Sequence, residues 1–93
     1  MLESYLEKQI VEYAKYHGWW VSKMIDASCR GAPDRRMIWP KTGLTVHVEI
    51  KQPGGRLSKV QKEYHKKLKK HHQIVWTVDS MALFIKKLKG LEL

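Results

Sequence analysis

The triplet Glu49-Ile50-Lys51 lies in a run of β-forming residues, where side chains alternate between faces, so Glu49 and Lys51 share one surface and Ile50 points to the other. Upstream, Pro33-Asp34 stands at the mouth of a second short β-forming run, and hairpin pairing of the two runs brings Asp34 to the Glu49 end. Two carboxylates and one ammonium then converge. That set suits phosphodiester hydrolysis, because hard divalent cations take oxygen ligands and a bound cation both lowers the pKa of water and neutralises charge developing on phosphate. In this reading Asp34 and Glu49 hold the metal, and Lys51 either orients the attacking water or stabilises transition-state charge. An acid-x-lysine triplet is also a common solvated ion pair, and Gly31-Ala32-Pro33-Asp34 is an ordinary turn sequence. What favours chemistry is their order and spacing, joined to the charge of the chain.

Two helical segments point further residues toward the same place. On a wheel of the first, advancing 100° per residue, Glu3 and Glu7 fall inside the arc of Leu6, Ile10, Val11 and Ala14, whereas Glu12 lies outside it. Carboxylates at a core-facing edge need a partner, which is either a metal site or a neighbouring Lys or Arg. In the second segment Leu57, Val60, Tyr64 and Leu68 define an apolar arc with Gln61 at its edge, while Lys59, Lys62, Lys66, Lys69 and Lys70 occupy the other side. Gln61 then faces inward, to bind the attacking water or the substrate backbone, or else to be satisfied by local main chain.

The elements that must position these residues follow from periodicity and breakers. Apolar spacing predicts a helix from Leu2 to His17, stopped by Gly18. A strand from Trp19 to Ile25 gives way to a polar loop from Asp26 to Pro33. Strands at Arg36–Trp39 and Leu44–Lys51 flank the turn residues Pro40-Lys41-Thr42-Gly43, which reads as a hairpin. Pro53-Gly54-Gly55 breaks the chain before Ser58, the N-cap of a helix to about His71. A strand from Ile74 to Val78 and a helix from Ser80 to Leu88, capped by Asp79 or Ser80, complete the order α-β-β-β-α-β-α. An α/β domain with a mixed central sheet flanked by helices is expected, and 93 residues fit one domain spanning 1–93.

Composition narrows the partners. Eighteen Lys and Arg against nine Asp and Glu give a formal net charge of +9, which attracts polyanions, nucleic acid foremost. No apolar run approaches the ~20 residues needed to cross a bilayer, so no membrane is expected. The polar, periodic start Leu2-Glu3-Ser4-Tyr5-Leu6-Glu7 lacks the order of a secretory signal, and Cys29, the single cysteine, cannot form an intramolecular disulfide. An intracellular setting is expected.

Taken together, Gly31-Ala32-Pro33-Asp34-Arg35, then Glu49-Ile50-Lys51-Gln52-Pro53-Gly54-Gly55-Arg56-Leu57-Ser58, then Gln61, resemble the virus-type replication-repair nuclease (VRR-NUC) domain of the PD-(D/E)xK superfamily. The resemblance spans essentially the whole chain. It implies a restriction-endonuclease-like core, one or two Mg²⁺ or Mn²⁺ ions, and action on branched double-stranded DNA such as four-way (Holliday) junctions. It assigns Asp34 and Glu49 as metal-site acids, Lys51 as the lysine, the main-chain carbonyl of Ile50 as a further metal ligand, and Glu7, rather than Glu3, as the first-helix glutamate. Stand-alone members of this type resemble phage proteins that pair as homodimers, implying the cytoplasm of a phage-infected or prophage-carrying bacterium.

Arg30, Arg35 and Arg36 flank Asp34, and with Lys23, Arg56, Lys59 and Lys62 they are the expected DNA contacts. The run Lys59, Lys62, Lys66, Lys67, Lys69 and Lys70 is also explained by a solvated face, with phosphate contact the slightly favoured reading. His71-His72 lacks a matching ligand set and suits a helix C-terminus. Trp19, Trp20, Trp39 and Trp76 lie in strand candidates, as core or dimer interface rather than base-stacking groups. Cys29 has no activating base nearby.

Overall fold

The computed structural model describes residues 2–24 and 30–93. Its elements are α1 (Glu3–Tyr16), β1 (Trp20–Lys23), β2 (Arg35–Ile38), β3 (Thr45–Ile50), α2 (Lys59–Lys70), β4 (Ile74–Val78) and α3 (Met81–Lys89). The order α-β-β-β-α-β-α is the one expected. The expected end of the first strand at Ile25, and Asp26, Ser28 and Cys29 of the polar loop, lie outside the described residues.

The strands form one sheet in the order β1-β2-β3-β4. β1, β2 and β3 are antiparallel, with Arg35 opposite Val48 and Met37 opposite Val46. β4 lies parallel to β3, with Glu49 opposite Thr77, so the connection between them has to cross over the sheet. α2 makes that crossover.

Alternation along β3 divides the sheet into two faces. Val46, Val48 and Ile50 are buried with Met37, Trp76 and Val78. Against them pack Leu6, Ile10 and Ala14, one stripe of α1, and Phe84 of α3, whose ring meets Trp76 edge-on at 6.2 Å. Burying each large apolar side chain in that layer contributes roughly 1.5–3 kcal/mol. α1 and α3 therefore cover one face. His47 and Glu49 project to the opposite face, where Gln61 and His65 of α2 reach Glu49.

Local signals set the ends of the helices. Ser58 caps α2 in a reciprocal box: its hydroxyl accepts from the Gln61 N–H, and Gln61 Oε1 accepts from the Ser58 N–H at 2.9 Å. Ser80, rather than Asp79, caps α3 by accepting from the Leu83 N–H. At the end of α2, His71 Nδ1 lies 2.8 Å from the Lys67 carbonyl oxygen, the helix-terminal role expected of that histidine pair.

Element ends shift by a residue or so from those expected, and three differences matter for packing. β2 starts at Arg35 rather than Arg36 and ends before Trp39, which turns the hairpin: its carbonyl accepts from the Gly43 N–H and its N–H donates to Leu44. β1 starts at Trp20, so Trp19, just before it, is free to bury its ring while Trp20 stays 53% exposed. The buried face of α2 is also rotated from the expected arc: Val60 is exposed and His65 is the buried residue of the helix. The apolar arc misled because the inner side of α2 covers a polar stretch of sheet around Glu49 rather than an apolar one.

Candidate active site

The hairpin register carries Asp34 to Glu49. Because Arg35 pairs with Val48, Asp34 stands one residue beyond the pair, level with Glu49, and its Oδ2 accepts the Ile50 N–H at 2.8 Å. The Lys51 N–H donates to the Val78 carbonyl at 2.9 Å, continuing the parallel ladder past the end of β3. Strand alternation thus persists through Lys51 and returns it to the Glu49 side, with Nζ 4.0 Å from Glu49 Oε2.

Glu49 is 1% exposed and its carboxyl is only loosely compensated. Oε1 lies 3.4 Å from His65 Nε2, Oε2 lies 3.4 Å from Gln61 Nε2, and Lys51 stands off at 4.0 Å. Burial is the main reason its pKa is pushed up to about 8. A hydrogen bond with Asp34, the Asp34 charge and the more remote Glu3 charge raise it further, while Lys51 opposes them. His65 is held below the usual imidazole range by burial and then by Lys69 and Lys51, so it sits beside Glu49 as a neutral ring.

This donor set fits a hard divalent cation. Two adjacent carboxyls, one buried and short of positive charge, gain most from a cation that favours both ionised forms. Among the described residues no group of three His, Cys, Asp or Glu side chains is assembled. The donors brought together here are the two carboxylates of Asp34 and Glu49, a set that would leave other positions to water and substrate, as Mg²⁺ commonly requires.

Gln61 does reach the pair, but neither end of its amide is idle: Oε1 serves the Ser58 cap and Nε2 points at Glu49. It holds Glu49 rather than presenting a free amide to water. His65, the neighbour of Gln61 one helical turn on, was not anticipated. The signal was available, since an inward Gln61 at position i makes i+4 inward as well.

The structure does not bring Glu7 to the carboxyl pair. Arg35 shares the face of Val48, toward α1, and there its Nε donates to Glu7 Oε2 at 2.7 Å, with Lys23 Nζ 3.7 Å from the same oxygen. The acid of α1 whose charge bears on Glu49 is Glu3, from the first turn. Among the expected DNA contacts, Arg36 lies opposite His47 with its guanidinium 6.0 Å from the Trp20 ring centroid, and Arg30, Arg56, Lys59 and Lys62 are exposed.

The architecture matches a solved structure described as a VRR_NUC domain, with a TM-score of 0.88, 25% sequence identity and coverage of 97% of each chain. No family model matches the sequence, and no curated protein does.

Proposed function

We propose that this chain, which has the fold of a VRR-NUC nuclease domain, is a divalent-metal-dependent deoxyribonuclease whose centre is Asp34, Glu49 and Lys51. The observation that carries this reading is the buried Glu49 carboxyl beside Asp34, with Lys51 at 4.0 Å. The net charge of +9 supports nucleic acid as the substrate. The finer reading is a structure-specific endonuclease that resolves four-way junctions as a homodimer, using one or two Mg²⁺ or Mn²⁺ per site. It rests on the family resemblance and on the match of two-fold symmetry to two symmetrical cuts.

Asp34, Glu49 and the Ile50 carbonyl would hold the metal, which when bound polarises the phosphate and eases loss of a proton from the attacking water. Hydrolysis joins the water oxygen to phosphorus as the ester P–O bond on the far side breaks. Lys51, with a side chain only 16% exposed, keeps an ammonium beside the place where negative charge develops. Gln61 and His65 each face one oxygen of Glu49 at 3.4 Å, which orients the carboxylate while leaving it charge to share with a cation.

The test is cleavage of four-way, flap, nicked and linear DNA by purified protein with Mg²⁺ or Mn²⁺, alongside Asp34→Asn and Lys51→Ala and a mass measurement in solution. Cleavage of junctions by the wild type, lost in both variants while DNA binding persists, is expected, with a dimeric mass. Failure of the wild type to cut any of these substrates would sink the enzyme reading. DNA binding in EDTA, indifferent to Asp34 and Glu49 and never followed by cleavage, would identify a binding module instead.

A further inference from the structure

Basic clefts flank the carboxyl pair on both faces of the sheet, and they differ in how far their charge is already spent. On the α1 side, Lys8, Lys15, Lys23 and Arg35 share a cleft with Glu7 and Glu12, and Glu7 is bonded to both Arg35 and Lys23. A phosphate entering there has to compete with a carboxylate that sits 2.7 Å from Arg35. On the α2 side, Lys62, Lys66 and Lys69 line a cleft of about 310 Å³ with Leu57, His65 and Thr77. Among the described residues no carboxylate lines it and no ion pair engages any of its three lysines.

We propose that this α2–β4 cleft is the track for the phosphate backbone of the DNA strand that runs through the centre, and that the α1-side cleft is structural. The inference rests on the nuclease reading and names which surface binds the substrate.

Three features connect the cleft to the chemistry. Lys62, Lys66 and Lys69 are spaced i, i+4, i+7, which places them on one side of the helix over about 10 Å, room for two or three phosphates of a strand. His65 lies in the wall of the cleft and also contacts Glu49 Oε1 at 3.4 Å, so the cleft borders directly on the buried carboxyl. Thr77, from the cleft wall, is the register partner of Glu49 across β3 and β4.

Like charges at i,i+3 and i,i+4 oppose one another and destabilise the helix, a cost that an anionic strand laid along them removes. A second copy of the chain docked here by two-fold symmetry would set six lysines face to face, so charge disfavours a self-contact at this surface. Contacts of this kind read no sequence: they set affinity and its dependence on salt.

The experiment measures binding of a fluorescein-labelled synthetic four-way junction by anisotropy in EDTA across about 50 to 200 mM salt. Wild type is compared with Lys62→Gln/Lys66→Gln/Lys69→Gln and with the charge-matched Lys86→Gln/Lys87→Gln/Lys89→Gln on α3. Circular dichroism confirms folding, and sedimentation gives the mass. The α2 variant is expected to bind more weakly, with a log–log salt slope shallower by about two to three, while the α3 variant keeps the wild-type slope. Equal loss in both variants, or an unchanged slope in the α2 variant, overturns the track. So does a changed mass with an unchanged slope, which would make the cleft a self-contact. Wild type that fails to bind the junction even at the lowest salt refutes the nucleic-acid reading itself, a result distinct from these.

Discussion

The Ile50 N–H donates to the Asp34 carboxylate across 2.8 Å, so the residue between Glu49 and Lys51 anchors the acid that precedes β2. Ile50 is 1% exposed, so its N–H is poorly solvated without the Asp34 acceptor. Asp34→Asn retains an oxygen that can accept this hydrogen bond, whereas Asp34→Ala does not. Both are expected to lower cleavage by at least about a thousandfold, because metal-held charge stabilisation is worth several kcal/mol. In denaturant unfolding, Asp34→Ala is expected to be about 1–3 kcal/mol less stable than Asp34→Asn. Equal stability of the two would show that the hydrogen bond contributes nothing.

Glu49 sets a pH dependence. Its carboxyl ionises near the ordinary value of 4.5 when unfolded and is pushed up to about 8 when folded, so between those values unfolding releases a proton and rising pH favours the unfolded chain. The stability it contributes is complete below the lower value and is lost as pH climbs through the upper one. His47 and His65, whose folded values are lowered from 6.5, act in the opposite sense, but only at and below that pH. Between about pH 6.5 and 8 the metal-free protein is therefore expected to lose thermal stability with rising pH, and Glu49→Gln is expected to flatten the slope. Added Mg²⁺ or Mn²⁺ should raise the melting temperature more at the upper end of that window, since the cation requires the ionised carboxylate. A stabilisation by metal that is independent of pH would exclude Glu49 as a ligand.

Glu7 is paired with Arg35 and Lys23 rather than with the carboxyl pair. Glu7→Gln keeps an acceptor for Arg35 Nε, and the pair is partly exposed, so a loss of no more than about 1 kcal/mol in stability is expected. Cleavage should fall less than about tenfold, against complete loss in Glu49→Gln. Steady-state rates of the two variants on one junction substrate separate a positioning role for Glu7 from a ligand role. Loss by Glu7→Gln as deep as by Glu49→Gln would restore it to the metal site.

Gly31 locks the Asp34 loop onto α2. Its φ is +83°, and a Cβ there would stand 2.5 Å from the Val60 carbonyl oxygen. Gly43, in the hairpin turn with φ +78°, has nothing within 4 Å of the same position. Gly43→Ala is expected to cost about 1 kcal/mol from backbone strain alone, and Gly31→Ala about 2–4 kcal/mol because contact adds to strain. Gly31→Ala should also impair cleavage, by shifting Asp34 relative to Glu49, where Gly43→Ala should not. Denaturation midpoints and cleavage rates of the pair decide it.

By itself the sequence determined the order of the elements and singled out the three residues of the candidate site. Periods of two and of roughly 3.6 are local properties, and Ser58 with Gln61 writes a helix start that any context would read the same way. The convergence of Asp34, Glu49 and Lys51 was legible for the same reason: alternation places Glu49 and Lys51, and a hairpin turn fixes the register that delivers Asp34. What only the tertiary structure decided is which face each helix covers. A wheel shows α1 to be amphipathic but not which side of the sheet it lies on. Because Arg35 alternates with Asp34, the α1 face received the Glu7–Arg35 pair, and the opposite face received the carboxyls. The inner side of α2 was misread for a related reason: its surroundings are a buried acid, which selects Gln61 and His65 and leaves Val60 outside. The same packing placed Glu7 among cations and left Lys62, Lys66 and Lys69 with no ion pair among the described residues, a contrast between clefts that composition could not contain.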